Sequence, residues 1–87
     1  MRDAVVVTGP VRVTLLTGAG CGLCDVARER VREICADLVV AWAEIDVDSD
    51  RELRAEYGDR LPVILIDGAE HGYFRVEEGR LRAALSG

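Results

Sequence analysis

The sequence predicts a small α/β domain with the element order β-α-β-α-β-β-α and a four-stranded mixed sheet flanked by helices. The first observation is a strand pattern followed by an amphipathic helix and a second strand pattern, the spacing of a parallel βαβ unit with a right-handed crossover. The second is Asp67-Gly68 behind a continuous apolar run, which is typical of a tight hairpin. The chain has 87 residues, 49% of them hydrophobic, which suffices for one modest core.

The first half of the chain supplies the βαβ unit. Val11–Leu16 alternates and then becomes apolar, which predicts the first strand, and Thr17–Gly20 predicts a flexible loop. The second strand is predicted at Val39–Val47. Between them, a helix over 22–37 gathers its apolar positions on one face, with charges opposite: Leu23, Ala27, Val31, Ile34 and the adjoining Leu38.

The second half supplies the hairpin and two further helices. Asp48-Ser49-Asp50 offers an N-cap for a short helix over Arg51–Tyr57, which Gly58 ends. Val63–Ile66 is apolar throughout and predicts a third strand buried on both faces. A fourth strand over Glu70–Arg75 and a last helix over Glu77–Leu85 complete the pattern, with acids in the first turn of that helix and arginines later. Residues 1–10, ending in Gly9-Pro10, are predicted to be a tail before a domain over 11–87.

Composition excludes several classes of partner. The formal net charge is −5, which argues against binding to nucleic acid or to an anionic membrane. No apolar run is long enough for a membrane span, and the N-terminus lacks the apolar core of a signal peptide. Three cysteines do not form a structural disulfide framework. We therefore expect a cytoplasmic monomer.

The chemistry-bearing motif is Cys21-Gly22-Leu23-Cys24, between the first strand and the first helix. Two cysteines at this spacing can close as a disulfide. At a helix start, free N–H groups and the positive end of the helix dipole stabilise a thiolate. These are the requirements of dithiol–disulfide exchange. Zinc sites also use this spacing, but within a βαβ unit it favours redox chemistry.

Strand, loop, Cys-x-x-Cys, helix and a proline-led apolar strand together resemble the glutaredoxin branch of thioredoxin-fold proteins, over about residues 11–85. The stretch from His71 to Arg75 before the last helix is similar to that of small glutaredoxin-like proteins. The resemblance implies a thioredoxin-like fold and a thiol–disulfide oxidoreductase, with Cys21 as the nucleophile and Cys24 as the resolving thiol. The physical argument agrees, because an attacking thiolate needs access, whereas a resolving thiol one turn into the helix needs only proximity.

Pro62 has two interpretations. It is either a proline at the start of a strand, where no ladder N–H is required, or, by the resemblance, a cis-proline that faces the cysteines. A cis Leu61–Pro62 bond would direct the backbone of Leu61 at a bound substrate. Arg60 is the candidate to hold a substrate carboxylate, because it adjoins this bond. The family's usual Thr-Val-Pro is Arg60-Leu61-Pro62 here, and its paired-glycine signature before the last helix is absent.

The expected substrates are disulfides of proteins or of small thiols. No cofactor is expected, and the electron donor is left open between a reductase and a low-molecular-weight thiol such as glutathione. Two alternatives remain: a non-catalytic binding or redox-sensing module, and a metal or iron–sulfur carrier. Cys35 lies eleven residues beyond Cys24 on the same predicted helix, about 16 Å away at the helical rise per residue, too far to share one ion with it. Cys35 is expected to be a buried apolar residue.

Overall fold

The structure is a computed structural model that describes residues 9–86. Most of the predicted tail, residues 1–8, therefore lies outside the described residues. The elements follow the predicted order: β1 (Val13–Thr17), α1 (Cys24–Leu38), β2 (Trp42–Asp46), a single 3-10 turn (Val47–Ser49), α2 (Arg51–Tyr57), β3 (Val63–Ile66), β4 (Ala69–Tyr73) and α3 (Glu78–Ser86). Within residues 9–86, no helix has the length and apolar character needed to cross a membrane.

The four strands form one mixed sheet in the order β2-β1-β3-β4. The central strand β1 is parallel to β2 and antiparallel to β3, and β3 is antiparallel to β4. The β3–β4 turn has Asp67 at φ 51° and Gly68 at φ 86°, the left-handed backbone that an Asp-Gly hairpin requires. The predicted α/β fold and four-stranded mixed sheet are confirmed.

The main core lies between one sheet face, α1 and α3. It is built from the predicted apolar stripe of α1 and from β1 and β3, and its buried members are Val13, Leu15, Ala27, Val31, Ile34, Cys35, Val40, Ile64, Leu81 and Leu85. The helix begins at Cys24, two residues after the predicted start, and ends at Leu38, after which Val39 adopts the left-handed conformation with φ 55°. Leu23 is therefore not part of the core stripe, because it precedes the helix and is 51% exposed.

A smaller core lies on the other sheet face. Leu16, Val47 and Val63 are buried there, with Leu53, Tyr57, Leu61 and Leu65 packed against them. The helix α2 is positioned by its predicted cap, since the Asp50 carboxylate accepts hydrogen bonds from the backbone N–H groups of Glu52 and Leu53. This core holds the segment that leads to Pro62 beside the end of β1.

The start of α1 is tied to the edge strand β2 by a polar cluster. The Glu44 carboxylate accepts hydrogen bonds from Arg28 Nε at 2.6 Å and Arg28 Nη2 at 2.8 Å. It also accepts one from the hydroxyl of the buried Thr17 at 2.9 Å. The Arg28 guanidinium is the main reason that the pKa of Glu44 lies below its ordinary value.

Candidate active site

Cys21 and Cys24 lie together where the loop after β1 enters α1. They are joined as a disulfide, with Cα atoms 5.5 Å apart. Cys24 is the first residue of the helix and is buried, whereas Cys21 precedes the helix and is half-buried. No side-chain hydrogen bond caps α1 at Leu23, and the N–H of Cys24 donates to the carbonyl of Cys21 at 3.4 Å, so the positive end of the helix dipole lies at the cysteine pair.

The loop before Cys21 is fixed by contacts with two neighbouring segments. The N–H of Cys21 donates to the Gly18 carbonyl at 3.3 Å, and the N–H of Ala19 donates to Asp48 Oδ2 at 3.0 Å. Gly18 also lies against Leu61, because a Cβ placed on Gly18 would be 2.7 Å from Leu61 Cδ1. Glycine thus permits this close approach of the cysteine loop to the segment before Pro62, and a side chain at position 18 would displace the tip of Leu61.

The Leu61–Pro62 peptide bond is cis, as the resemblance predicted. Pro62 is buried, and its carbonyl accepts a hydrogen bond from the N–H of Phe74 at 2.8 Å. Leu61 and Cys21 share the lining of one cavity of about 290 Å³. The other lining residues come from the cysteine loop, the end of α2 and the segment after β4: Ala19, Gly20, Gly22, Leu23, Gly58, Asp59 and Phe74. We call this space the cysteine cavity.

Phe74 lies on the same cavity in an unusual backbone conformation. Its φ is 71°, and the N–H of Arg75 donates to the carbonyl of Tyr73 at 2.9 Å, which together define a γ-turn centred on Phe74. A γ-turn with positive φ is strained for a residue with a side chain, at a cost of about 1–3 kcal/mol. The ring is nevertheless 46% exposed, in an edge-to-face contact with Tyr73.

Arg60 is held by carboxylates rather than directed at the cysteine cavity. Its guanidinium donates to both Glu70 oxygens, at 3.1 and 2.9 Å, to Asp59 at 3.1 Å and to the Glu56 carbonyl at 2.8 Å. Its side chain is 24% exposed and lies over the Tyr57 ring. Its role as a ligand for a substrate carboxylate stays a prediction, and it would require exchange of the Glu70 contact. In this structure Arg60 anchors the segment before Pro62 to β4.

The third cysteine and the histidine lie away from the cysteine cavity. Cys35 is fully buried in the main core, and burial raises the pKa of its thiol to about 11. His71 is half-buried on β4, where burial lowers its pKa and Arg80 lowers it further. In the part of the chain that the structure describes, no three His, Cys, Asp or Glu side chains group as metal ligands would.

Sequence reasoning did not identify Phe74, Gly18 or Asp48 as parts of the site. The contact between Gly18 and Leu61 joins positions 43 residues apart, so no local pattern contains it. The only sequence indication for Phe74 is that it lies in the stretch from His71 to Arg75 that is similar to small glutaredoxin-like proteins.

A mixed sheet with a cysteine pair at the start of α1, beside a cis-proline segment, defines the class of thioredoxin-fold proteins with a Cys-x-x-Cys site. The chain is similar to the X-ray structure of protein XcR50 from X. campestris, with 31% identity and a TM-score of 0.68 over 85% of this chain and 95% of that one. It is also similar to Fasciola hepatica thioredoxin, with 28% identity and a TM-score of 0.58 over 85% of this chain and 76% of that one. Protein Ne2328 from Nitrosomonas europaea shares the fold, with a TM-score of 0.72 over 97% of this chain and 98% of that one, at 21% identity.

The family is established by the sequence comparison. The model of the glutaredoxin-like domain family (DUF836) matches residues 12–86, and the chain belongs to this family. Uncharacterized proteins of Mycobacterium bovis and Mycobacterium tuberculosis are 46% identical to it over 80 residues, which cover 86% of this chain and 82% of theirs. The family and the proximity of Cys21 and Cys24 fit a redox role.

Proposed function

We propose that this protein is a thiol–disulfide oxidoreductase in which Cys21 is the nucleophile and Cys24 the resolving thiol. The observation that carries the proposal is the asymmetry of the pair. Cys21 lines an open cavity, whereas Cys24 is buried behind it, 5.5 Å away between Cα atoms. An incoming disulfide therefore meets Cys21, and only an intermediate already attached to Cys21 is within reach of Cys24.

The reaction begins with the reduced pair. The Cys21 thiolate attacks one sulfur of the substrate disulfide, so that a Cys21–substrate bond forms and the substrate S–S bond breaks. The first substrate thiolate leaves and takes a proton from solvent. Cys24, after loss of its proton to solvent, then attacks Cys21 Sγ, which forms the Cys21–Cys24 disulfide and breaks the Cys21–substrate bond. The second substrate sulfur leaves as a thiolate and takes a proton from solvent. Two electrons pass from the protein to the substrate, and a dithiol reductase or a low-molecular-weight thiol returns them.

The chain's own groups assist these steps through position. The start of α1 stabilises the Cys21 thiolate by the positive end of its dipole. Leu61 lies across the cysteine cavity, where its backbone N–H and C=O can pair with the backbone of a substrate in the manner of an added strand. Asp48 and Gly18 fix the loop before Cys21, so that the nucleophile is presented in one position.

The test is a trapping experiment with three single variants. Cys24→Ser should accumulate a mixed disulfide through Cys21 when the reduced protein meets a model disulfide, and Cys21→Ser should accumulate none, with intact-mass spectrometry as the readout. Cys35→Ser is the matched control, because the core thiol should not alter trapping. Catalytic disulfide reduction that persists in Cys21→Ser would show that the nucleophile is misassigned. A wild-type pair that oxidises but never turns over with excess reductant would instead support a redox-sensing module.

A further inference from the structure

We propose that Leu23, Val26 and Phe74 form an apolar patch that docks the side chain beside the reactive cysteine of a polypeptide substrate, with an acidic residue of that substrate next to Arg75. The inference rests on the proposed disulfide exchange and specifies its substrate as a polypeptide rather than a small thiol. The patch joins two separate parts of the chain, the start of α1 and the segment between β4 and α3.

The patch is continuous with the nucleophile. A second cavity, of about 380 Å³, lies beside the cysteine cavity and is lined by Leu23, Val26, Phe74 and the aliphatic Ala27 and Val76, with Arg30, Arg75 and Glu78 at its rim. Leu23 and Phe74 line both cavities. A chain whose half-cystine meets Cys21 can therefore extend directly into the second cavity.

The exposure of the patch is not explained by folding. Leu23, Val26 and Phe74 are 51%, 61% and 46% exposed, respectively. Phe74 is also held at a positive φ by the hydrogen bond to the Pro62 carbonyl, so a strained backbone presents a ring that the core does not bury. Strain of this kind concentrates at ligand-binding positions, where the bound partner supplies the missing burial.

Charge decides which polypeptide fits. Arg75 lies on the rim of the second cavity, and within residues 9–86 no carboxylate forms an ion pair with it, whereas Arg30 pairs with Glu78 at 3.7 Å. The cysteine cavity is lined by one carboxylate, Asp59, and by no cation. Arg60 already pairs with Asp59 at 3.1 Å, so the lining of the cysteine cavity offers an anionic ligand no cation, while a longer chain can place its acidic residue at Arg75. The occupant is therefore a polypeptide with an apolar residue beside its cysteine and an acidic residue on the far side of that apolar residue.

The experiment uses the reduced Cys24→Ser protein and three synthetic peptides, each carrying its cysteine as a mixed disulfide with 2-mercaptoethanol. One peptide contains Asp-Leu-Cys, the second has Gly for Leu, and the third has Lys for Asp. The measured quantity is the second-order rate constant for attachment to Cys21, by quench and mass spectrometry. The Leu peptide should react about tenfold faster than the Gly peptide, from burial of the exposed part of the patch.

Phe74→Gly should reduce this Leu-to-Gly ratio to near one, because the ring is lost while glycine tolerates the backbone conformation. Val39→Gly is the matched control: Val39 is also exposed and at positive φ, but it lies at the far end of α1, so the ratio should not change. Arg75→Gln should remove the preference for Asp over Lys. A Leu-to-Gly ratio that survives Phe74→Gly, or that falls equally in Val39→Gly, would overturn the docking surface.

Failure of the proposed function gives a different result. If no peptide attaches to Cys21 in the Cys24→Ser protein with Phe74 and Arg75 intact, the exchange chemistry is wrong. The docking surface is then judged by equilibrium binding of the Asp-Leu peptide with Ala in place of Cys, measured by fluorescence anisotropy. If Phe74→Gly binds this peptide about tenfold more weakly than the protein that retains Phe74, the docking surface is supported. Equal affinity of the two proteins for the peptide overturns it.

Discussion

Substitution of Gly18 by alanine should weaken the site at least as much as the fold. The new Cβ would lie 2.7 Å from Leu61 Cδ1, while its other neighbours, Val47 Cγ2 at 3.5 Å and Asp48 Oδ2 at 3.8 Å, are at ordinary distances. Carbon atoms pack at about 3.5–4.0 Å, so the end of Leu61 must move by about 1 Å. Overpacking costs about 1–3 kcal/mol, and the low end applies because a flexible side-chain tip can move aside.

The expected loss of about 1 kcal/mol corresponds to a fall in Tm of about 4–8 °C for a domain of this size. Guanidinium titration of the oxidised protein should measure it. The rate of mixed-disulfide formation should fall further, by about tenfold, because Leu61 lies on the cysteine cavity and a displacement of about 1 Å misplaces a bound substrate.

A double-mutant cycle isolates the cause. In a Leu61→Ala background the added methyl group meets no Cδ1, so Gly18→Ala should cost at least about 0.5 kcal/mol less than in the wild type. Gly79→Ala, on α3 with nothing within 4 Å, is the control and should be neutral or stabilising. Equal costs of Gly18→Ala in both backgrounds would refute the argument from the Leu61 contact.

Two further predictions follow from titrating groups. Burial raises the pKa of the Cys35 thiol to about 11, so Cys35 should resist iodoacetamide at pH 8 until the protein unfolds, and fast labelling of the folded protein would contradict this expectation. The free energy of unfolding should also fall above about pH 9, since only the unfolded chain then loses the Cys35 proton. Because Arg28 lowers the pKa of Glu44, the stability that Glu44 provides should be present above about pH 4.5 and lost as the pH falls further. Glu44→Gln should therefore flatten the pH dependence between 3 and 5 in urea titrations, and an unchanged slope would exclude this ion pair as its cause.

The elements that sequence predicted well are those with local determinants. The range Arg51–Tyr57 was predicted correctly because Asp50 caps it and Gly58 follows it. The range Val63–Ile66 was also correct, since Pro62 and Asp67-Gly68 bound an uninterrupted apolar run. The start of α1 was less well placed, because it was predicted at residue 22 whereas the helix begins at Cys24. The predicted end differs from Leu38 by one residue, and Val39, the left-handed residue that follows, is not a residue type typical of a C-cap.

Tertiary contacts account for what the sequence did not predict. Arg60 was assigned to a substrate carboxylate from its position next to Leu61, but the hairpin brings Glu70 to it as a partner ten residues along the chain. The cis Leu61–Pro62 bond was predicted only through the family resemblance, because the same residues also suit the start of a strand. The conformation of Phe74 depends on the Pro62 carbonyl, which only the folded sheet places beside it.

The strand order also determines how the sheet ends. Within residues 9–86 its outer strands are β2 and β4, and the outer backbone groups of such strands are templates on which another chain can add a strand and begin to aggregate. Glu44 and Asp46 place negative charge along β2, and β4 is interrupted by the irregular register opposite Ile64 and Leu65. The charged residues of β2 and the irregular hydrogen-bond register of β4 oppose the addition of a further strand at either edge. The fold thus leaves the cysteine cavity open to substrates while discouraging extension of its sheet.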